Sequence, residues 1–312
     1  MRFNSCDIRL ETGWLPSLFD RVVVLFQATR PYQWVKNGFV LIPLIFAKKL
    51  FDFPSLANSL QAAAIFCLVS GAVYLINDIR DVEADRRHPL KRKRPLTAGL
   101  ISIRRSQVWA AVFLSSSLAW AAFLGREFMI LIVGYLAVQI LYNLRLKDVL
   151  FLDIFCISAG FLLRVAAGAA AIDVKVSSWL IVCTILLSLF LAVAKRKHEV
   201  LVLGERDAGN HRKVLSSYTP NLMDLMTAVA CGALLLSYLL YCISGETVEK
   251  FQTDRMIFTF PFAGYGIFRF LYLIYKKNPG ASPEKLFVSD APSLANALLW
   301  SLSCLLIIYG AL

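Results

Sequence analysis

The sequence predicts an all-α, polytopic membrane protein, and three observations carry that prediction. Of its 312 residues, 58% are hydrophobic and only 17% are charged, whereas a soluble chain is about half apolar and a quarter charged. The mean hydropathy is +0.63, and the apolar residues come in blocks near the length of about 20 that crosses a bilayer core as a helix. Lysine and arginine are confined largely to the connections between those blocks.

Taken in order, about nine blocks read as transmembrane helices: roughly 36–51, 57–78, 107–125, 128–143, 149–171, 178–194, 222–243, 256–275 and 293–311. A tight turn at Gly125-Arg126-Glu127 joins the third to the fourth. Residues 1–35 read as a cytoplasmic or interfacial segment, with Leu15 to Ala28 as an amphipathic helix. Asp7, Glu11 and Asp20 break up any continuous apolar core there, which argues against a cleavable signal peptide. The whole chain, 1–312, therefore reads as a single integral membrane domain. Its seven cysteines are scattered singly, all but Cys6 in apolar stretches, where they act as small hydrophobes rather than a disulfide framework. His88, His198 and His211 lie far apart, and no Cys/His grouping has zinc spacing.

Charge placement sets the topology. Arg80, Arg86, Arg87, Lys91, Arg92, Lys93, Arg94, Arg104 and Arg105 follow the second block, and Lys195, Arg196, Lys197, Arg206, Arg212 and Lys213 follow the sixth. The positive-inside rule puts these loops and the N-terminus in the cytoplasm. The net charge of +12 is largely this asymmetry. Nucleic-acid binding is a poor account of it, since no soluble module presents the charge.

The second block runs directly into Asn77-Asp78-Ile79-Arg80-Asp81-Val82-Glu83-Ala84-Asp85. If the helix continues, Asn77, Asp81 and Asp85 line one face, one turn apart, with neighbouring Cβ atoms about 6 Å from each other. Glu83 points away and Asp78 is offset. Oxygen-bearing side chains stacked at a membrane edge repel each other and are functional candidates by default. A hard divalent cation relieves that repulsion. Mg2+ suits the set, because it takes one or two carboxylates and completes its shell with water and substrate phosphate oxygens. The plainer reading is a solvated helix end. The apolar span before the row and the basic His88-Pro89-Leu90-Lys91-Arg92-Lys93-Arg94-Pro95 after it weigh against that.

Further charges accompany the row. Tyr142 and Lys147 lie in the turn after the fourth block, with Asp153 at the start of the fifth and Arg164 three helical turns on, on nearly the same face. Gly160 and Gly168 share that face and permit close helix approach. Asp153 and Arg164 read equally well as substrate contacts or as interhelical pairs that fix packing. Lys147 reads as a phosphate contact, with a plain positive-inside residue as the alternative. The sixth block ends in Lys195-Arg196-Lys197-His198-Glu199, either a plain cytoplasmic flank or a source of cations for a polyanionic substrate. Lys36 and Asn37, at the entrance to the first block, are placed to reach a headgroup-level ligand. Ser282-Pro283-Glu284 and Ser289-Asp290-Ala291-Pro292 carry helix-start signals.

Nine spans, the Asn77/Asp81/Asp85 row and the Tyr142, Lys147, Asp153 segment together resemble the UbiA superfamily of intramembrane prenyltransferases. The resemblance implies that Asn77, Asp81 and Asp85 bind Mg2+ and a diphosphate. Most of these prenyltransferases carry a second Asp-rich motif where this chain has Lys195 to Glu199. That basic segment is instead similar to the branch that transfers phosphoribose from phosphoribosyl pyrophosphate to a polyprenyl phosphate. Arg30-Pro31-x-Gln33-Trp34-Val35-Lys36-Asn37, Asn77 through Pro89, and Tyr265-Gly266-x-Phe268-Arg269-x-Leu271-Tyr272 are similar to stretches of the same branch.

The resemblance implies a Mg-dependent transferase, in a bacterial-type inner membrane, that works on the cytoplasmic side with phosphoribosyl pyrophosphate, a polyprenyl phosphate and the surrounding membrane lipids. Asp81, Asp85 and Lys195 are the candidate catalytic residues. Lys36, Asn37, Asn77, Tyr142, Lys147, Asp153, Arg164, Arg196 and Glu199 are the candidate substrate contacts, with Arg87 or Arg94 as further cations. Three alternatives stand beside this: a prenyltransferase using an aromatic or other acceptor, a transporter with Asp153, Arg164 and Arg269 as a charge relay, and a non-catalytic lipid-phosphate binder. A transporter should show broken spans with central acids, whereas the key acids here gather at a membrane edge.

Overall fold

A computed structural model describes residues 18–87, 91–203, 213–276 and 283–310. Residues up to 17, His88, Pro89, Arg206, His211, Arg212 and Ser282 lie outside them, as do the side chains of Arg87 and Lys213. Among the described residues every regular element is helical.

In chain order, α1 covers Leu18–Ala28, and a 3-10 segment, Pro31–Leu41, leads into the short α2, Ile42–Phe46. The long α3 is Phe53–Arg80, and α4, Val82–Arg87, follows one residue later. After a 3-10 turn at Lys91–Lys93 come α5, Ile103–Phe123, and α6, Arg126–Leu144. Then come a 3-10 turn at Leu146–Asp148, α7, Leu152–Ala171, and α8, Ser178–Leu203. A 3-10 segment, Lys213–Ser217, precedes α9, Pro220–Ile243, and α10, Gly245–Phe251. The last elements are a 3-10 segment, Arg255–Thr259, then α11, Phe260–Lys276, α12, Pro283–Ser289, and α13, Ala291–Ile308.

Eight helical stretches among the described residues are long and apolar enough to cross a membrane: 53–80, 103–123, 126–144, 152–171, 178–200, 220–243, 255–275 and 291–308. These match eight of the nine expected spans within a few residues. The expected first span, 36–51, is instead the end of a 3-10 segment and the five-residue α2. Pro43 sits at the start of α2 and lacks the N–H that a longer α-helix needs, and Lys48 carries positive φ where the element stops. The turn expected at Gly125 is present. Gly125 adopts φ of 105°, a conformation open to glycine, and caps α6.

The chain forms two compact units. The first comprises residues 1–31 and 70–112. In it Val82, Leu96 and Ile101 are buried together, with Val24, Leu25 and Ile79 packed against them. The apolar residues of α1 thus serve as core here, and the adjoining polar residues of α3 and α4 are held in a defined register.

The second unit comprises residues 32–69 and 113–312. One core joins Val40, Ala62, Ile65, Phe66, Phe128, Ile132, Tyr135 and Ala167. Another joins α7 to α8 and α9 through Ile154, Val193, Val200, Tyr218 and Met223. Gly168 lets α7 touch backbone: a Cβ there would meet the Val40 carbonyl oxygen at 2.0 Å. Leu225, Val229 and Leu236 of α9 stay exposed at helical spacing, as a lipid-facing stripe requires. Asp290 caps α13, accepting from the Ser293 N–H at 3.1 Å and its Oγ at 2.8 Å. Arg269 grips the same carboxylate with two nitrogens, at 3.0 and 2.9 Å, tying α11 to the start of α13.

Candidate active site

In the first unit the helical register carries straight through the carboxylate row. The Asp81 N–H donates to the Asn77 carbonyl at 2.9 Å, and the Asp85 N–H donates to the Asp81 carbonyl at 2.8 Å. Asn77 and Asp81 are half-buried, and Asp85 is buried. The one-residue turn at Asp81 between α3 and α4 does not break the four-residue repeat.

Counter-charges organise this row, and one of its members was not expected. Asp78, offset from the face, is as buried as Asp85. Arg30 pairs with Asp78 and lies over the Tyr74 ring at 4.9 Å. Arg94 bridges the two acids: its Nη1 is 3.1 Å from Asp78 and pairs directly with Oδ2 of Asp85. Lys91 lies 3.9 Å from the other Asp85 oxygen. Asp78 and Asp85 stand seven residues, or two helical turns, apart and so share a helix face, but that spacing does not reveal the shared arginine, which arrives from the loop that follows α4.

The second unit holds two separate polar centres. At one end of α7, Arg196 is clamped by three acceptors: Nε donates to Asp153 at 2.6 Å, Nη1 to Glu199 at 2.6 Å and Nη2 to the Tyr142 hydroxyl at 2.8 Å. The Tyr218 hydroxyl donates to the second Asp153 oxygen at 2.7 Å and accepts the Phe151 N–H at 3.2 Å. That bond meets Phe151 at φ of 66°, where a non-glycine residue is strained. Burial, then the bond to Asp153, pushes the Tyr218 phenol well above its usual range.

Of the basic segment at the end of α8, Arg196 and Lys197 are both committed. Lys197 pairs with Asp224, to which Tyr275 also donates, and its ammonium lies 3.3 Å from the Tyr275 ring centroid. Lys195 is half-buried and has no ion-pair or hydrogen-bond partner among the described residues. Lys147 is half-buried on the 3-10 turn before α7.

The other centre surrounds Arg164. Its Nε donates to Asn37 Oδ1 at 2.9 Å, Nη1 to the Gly160 carbonyl at 2.8 Å and Nη2 to the Tyr135 hydroxyl at 2.9 Å. Asn37 donates onward to Cys67 Sγ at 3.2 Å. The guanidinium lies against the rings of Tyr135, Phe66 and Phe161. Asp153 and Arg164 thus serve different interhelical contacts, eleven residues or about 16 Å apart along α7. Lys36 is half-buried beside Asn37 on the 3-10 segment.

The family model described as the UbiA prenyltransferase family matches residues 40–307. The chain belongs to that family. It is 34% identical over 293 residues to a decaprenyl-phosphate phosphoribosyltransferase of Corynebacterium glutamicum, covering 91% of this chain and 86% of that protein. It is 36% identical over 233 residues to the protein of the same name from Mycolicibacterium smegmatis, covering 73% of each. Among solved structures, a UbiA homolog from Archaeoglobus fulgidus bound to GPP and Mg2+ superposes with a TM-score of 0.69 at 16% identity, over 92% of this chain and 99% of that one.

This UbiA-family chain therefore carries the family's helical fold in a multi-pass membrane protein. Its hard-oxygen donors fit a magnesium ion by type. Asp81 and Asp85 offer two carboxylates and Asn77 an amide oxygen, a set that leaves the remaining positions to water and phosphate oxygens. Among the described residues no group of three or more His, Cys, Asp or Glu side chains is gathered closely enough to hold a metal ion by itself. Sequence reading missed Tyr218, Asp224 and Tyr275. Each reaches its partner only through packing of α7, α8, α9 and α11.

Proposed function

We propose that this protein transfers 5-phosphoribose from phosphoribosyl pyrophosphate to a polyprenyl phosphate, with Mg2+, at the cytoplasmic face of a bacterial-type inner membrane. The observation that carries the reading is the basic end of α8. Lysine 195 stands there with no partner among the described residues, in a position where a prenyl diphosphate site with two metals would want acids. The shared name of the two relatives that span most of the chain supports transfer of a phosphoribosyl group to a polyprenyl phosphate.

In this scheme Asp81, Asp85 and Asn77 hold the metal, which when bound supplies positive charge to the departing pyrophosphate. The ribose C1–O bond to pyrophosphate breaks and its electron pair leaves with pyrophosphate. A phosphate oxygen of the lipid forms the new C1–O bond. That nucleophile is already anionic, so no general base is required. Lys195, Lys36 and Lys147 are the cations assigned to donor and acceptor phosphates. Arg196, Glu199, Tyr142 and Asp153 act on them as a buried scaffold rather than as direct ligands, because Arg196 is already held by three acceptors. Arg164 and Asn37 position the segment that carries Lys36.

Purified protein supplied with Mg2+, a polyprenyl phosphate and labelled phosphoribosyl pyrophosphate is expected to place the label in the lipid fraction. Unlabelled lipid, together with turnover of a prenyl diphosphate and an aromatic acceptor, would reverse the assignment.

A further inference from the structure

The unexplained feature of the first unit is that the acid assigned to metal already has two cations on it. Asp78 and Asp85 side chains are each only 3% exposed, so their charges need partners inside the protein. Arg94 supplies one nitrogen to both, and Lys91 faces the remaining Asp85 oxygen at 3.9 Å. A divalent cation arriving alone would sit beside a guanidinium and an ammonium, and their repulsion opposes it.

Resting on the reading that this row holds a metal, we infer that metal and phosphorylated donor bind together, Arg94 and Lys91 passing from Asp85 to a donor phosphate. Three features make that exchange feasible. The side chains of Arg94 and Lys91 are 25% and 40% exposed, so their heads can turn toward a ligand. Arginine and lysine bind phosphate at least as well as carboxylate, arginine in two-pronged geometry. Asp78 keeps Arg30 throughout, so releasing Arg94 does not strand a buried charge. The metal then takes over the neutralisation of Asp85, while the donor supplies the anion that Arg94 and Lys91 require. Positive coupling between the two ligands follows from the exchange and is reciprocal.

The test uses the full chain in detergent, with Mn2+ as the metal probe and labelled pyrophosphate as the anion probe, both measured by equilibrium dialysis. Pyrophosphate is expected to tighten Mn2+ retention by about tenfold or more, and Mn2+ to tighten pyrophosphate retention equally. Arg94→Gln should hold Mn2+ alone more tightly than wild type, with the coupling reduced to about twofold or less. Wild type that retains Mn2+ equally with and without pyrophosphate overturns the inference, and that arm needs no variant to fold. Mn2+ retention unchanged in both Asp81→Asn and Asp85→Asn would instead overturn the metal site itself.

Discussion

Arg196 and Asp153 form an ion pair in which the side chains are 1% and 0% exposed, Nε to Oδ2 at 2.6 Å. Pairs this deep cost a great deal of desolvation and hold only while every partner is present. Arg196→Met leaves Asp153 with only the Tyr218 hydroxyl. The expected loss is about 3–5 kcal/mol, read as a large fall in melting temperature in detergent. Adding Asp153→Asn to it should restore much of that loss, since the stranded charge is gone. An unchanged melting temperature in Arg196→Met would count against this account.

Tyr218 gives a pH signature. Its phenol is raised above the usual 10.0 by burial and by donation to Asp153. The native state therefore holds a proton that the unfolded chain gives up from about pH 10 upward. This contribution to stability is full below that pH and declines as pH rises above it. Tyr218→Phe should be less stable at neutral pH by about 1–3 kcal/mol, because the Phe151 N–H loses its acceptor. The variant should also show a shallower loss of stability above pH 10. Parallel alkaline curves for the two proteins would refute the assignment.

Lys195 separates function from stability. Its ammonium has no described partner, so Lys195→Gln should change folding stability by no more than about 0.5 kcal/mol. Under the proposed function the same change should slow transfer by roughly a hundredfold. Full turnover in that variant would remove Lys195 from the site.

Gly168 and Gly160 should behave in opposite ways. A Cβ at position 168 meets the Val40 carbonyl oxygen at 2.0 Å and its carbon at 2.8 Å, both backbone atoms that cannot swing aside. Gly168→Ala is expected to cost about 1–3 kcal/mol. A Cβ at position 160 meets only side-chain atoms, the closest being Gln139 Nε2 at 3.4 Å. Gly160→Ala should be near neutral, its better helix propensity offsetting the contact by up to about 1 kcal/mol. Thermal unfolding of the two variants side by side checks the contrast.

Much of this was legible in the residues themselves, and the parts that were legible share a cause. The eight spanning stretches follow from apolar runs long enough to need no tertiary help in choosing helix. The Asn77, Asp81, Asp85 register depends only on the helical repeat, and the backbone hydrogen bonds bear it out. The Asp290 cap of α13 likewise follows from local geometry, whereas the close approach at Gly168 is a tertiary contact with the Val40 backbone. The 36–51 segment forms a 3-10 stretch and the five-residue α2 instead of one long α-helix, a detail that hydropathy does not register, because Pro43 and positive φ at Lys48 interrupt the helix.

The sequence by itself thus determined the fold class, the membrane-spanning segments and the face on which the acids stand. Only the tertiary structure decided which charges are committed and to whom. Arg196 reaches across 43 residues to Asp153, Lys197 across 27 to Asp224, and Arg94 holds both Asp78 and Asp85. Lys195, directly before Arg196 and Lys197, has no ion-pair or hydrogen-bond partner among the described residues. The reason is physical. A helix sets its own i, i+4 neighbours, but the partner of a buried charge is chosen by which helices pack together and by the cost of leaving that charge alone.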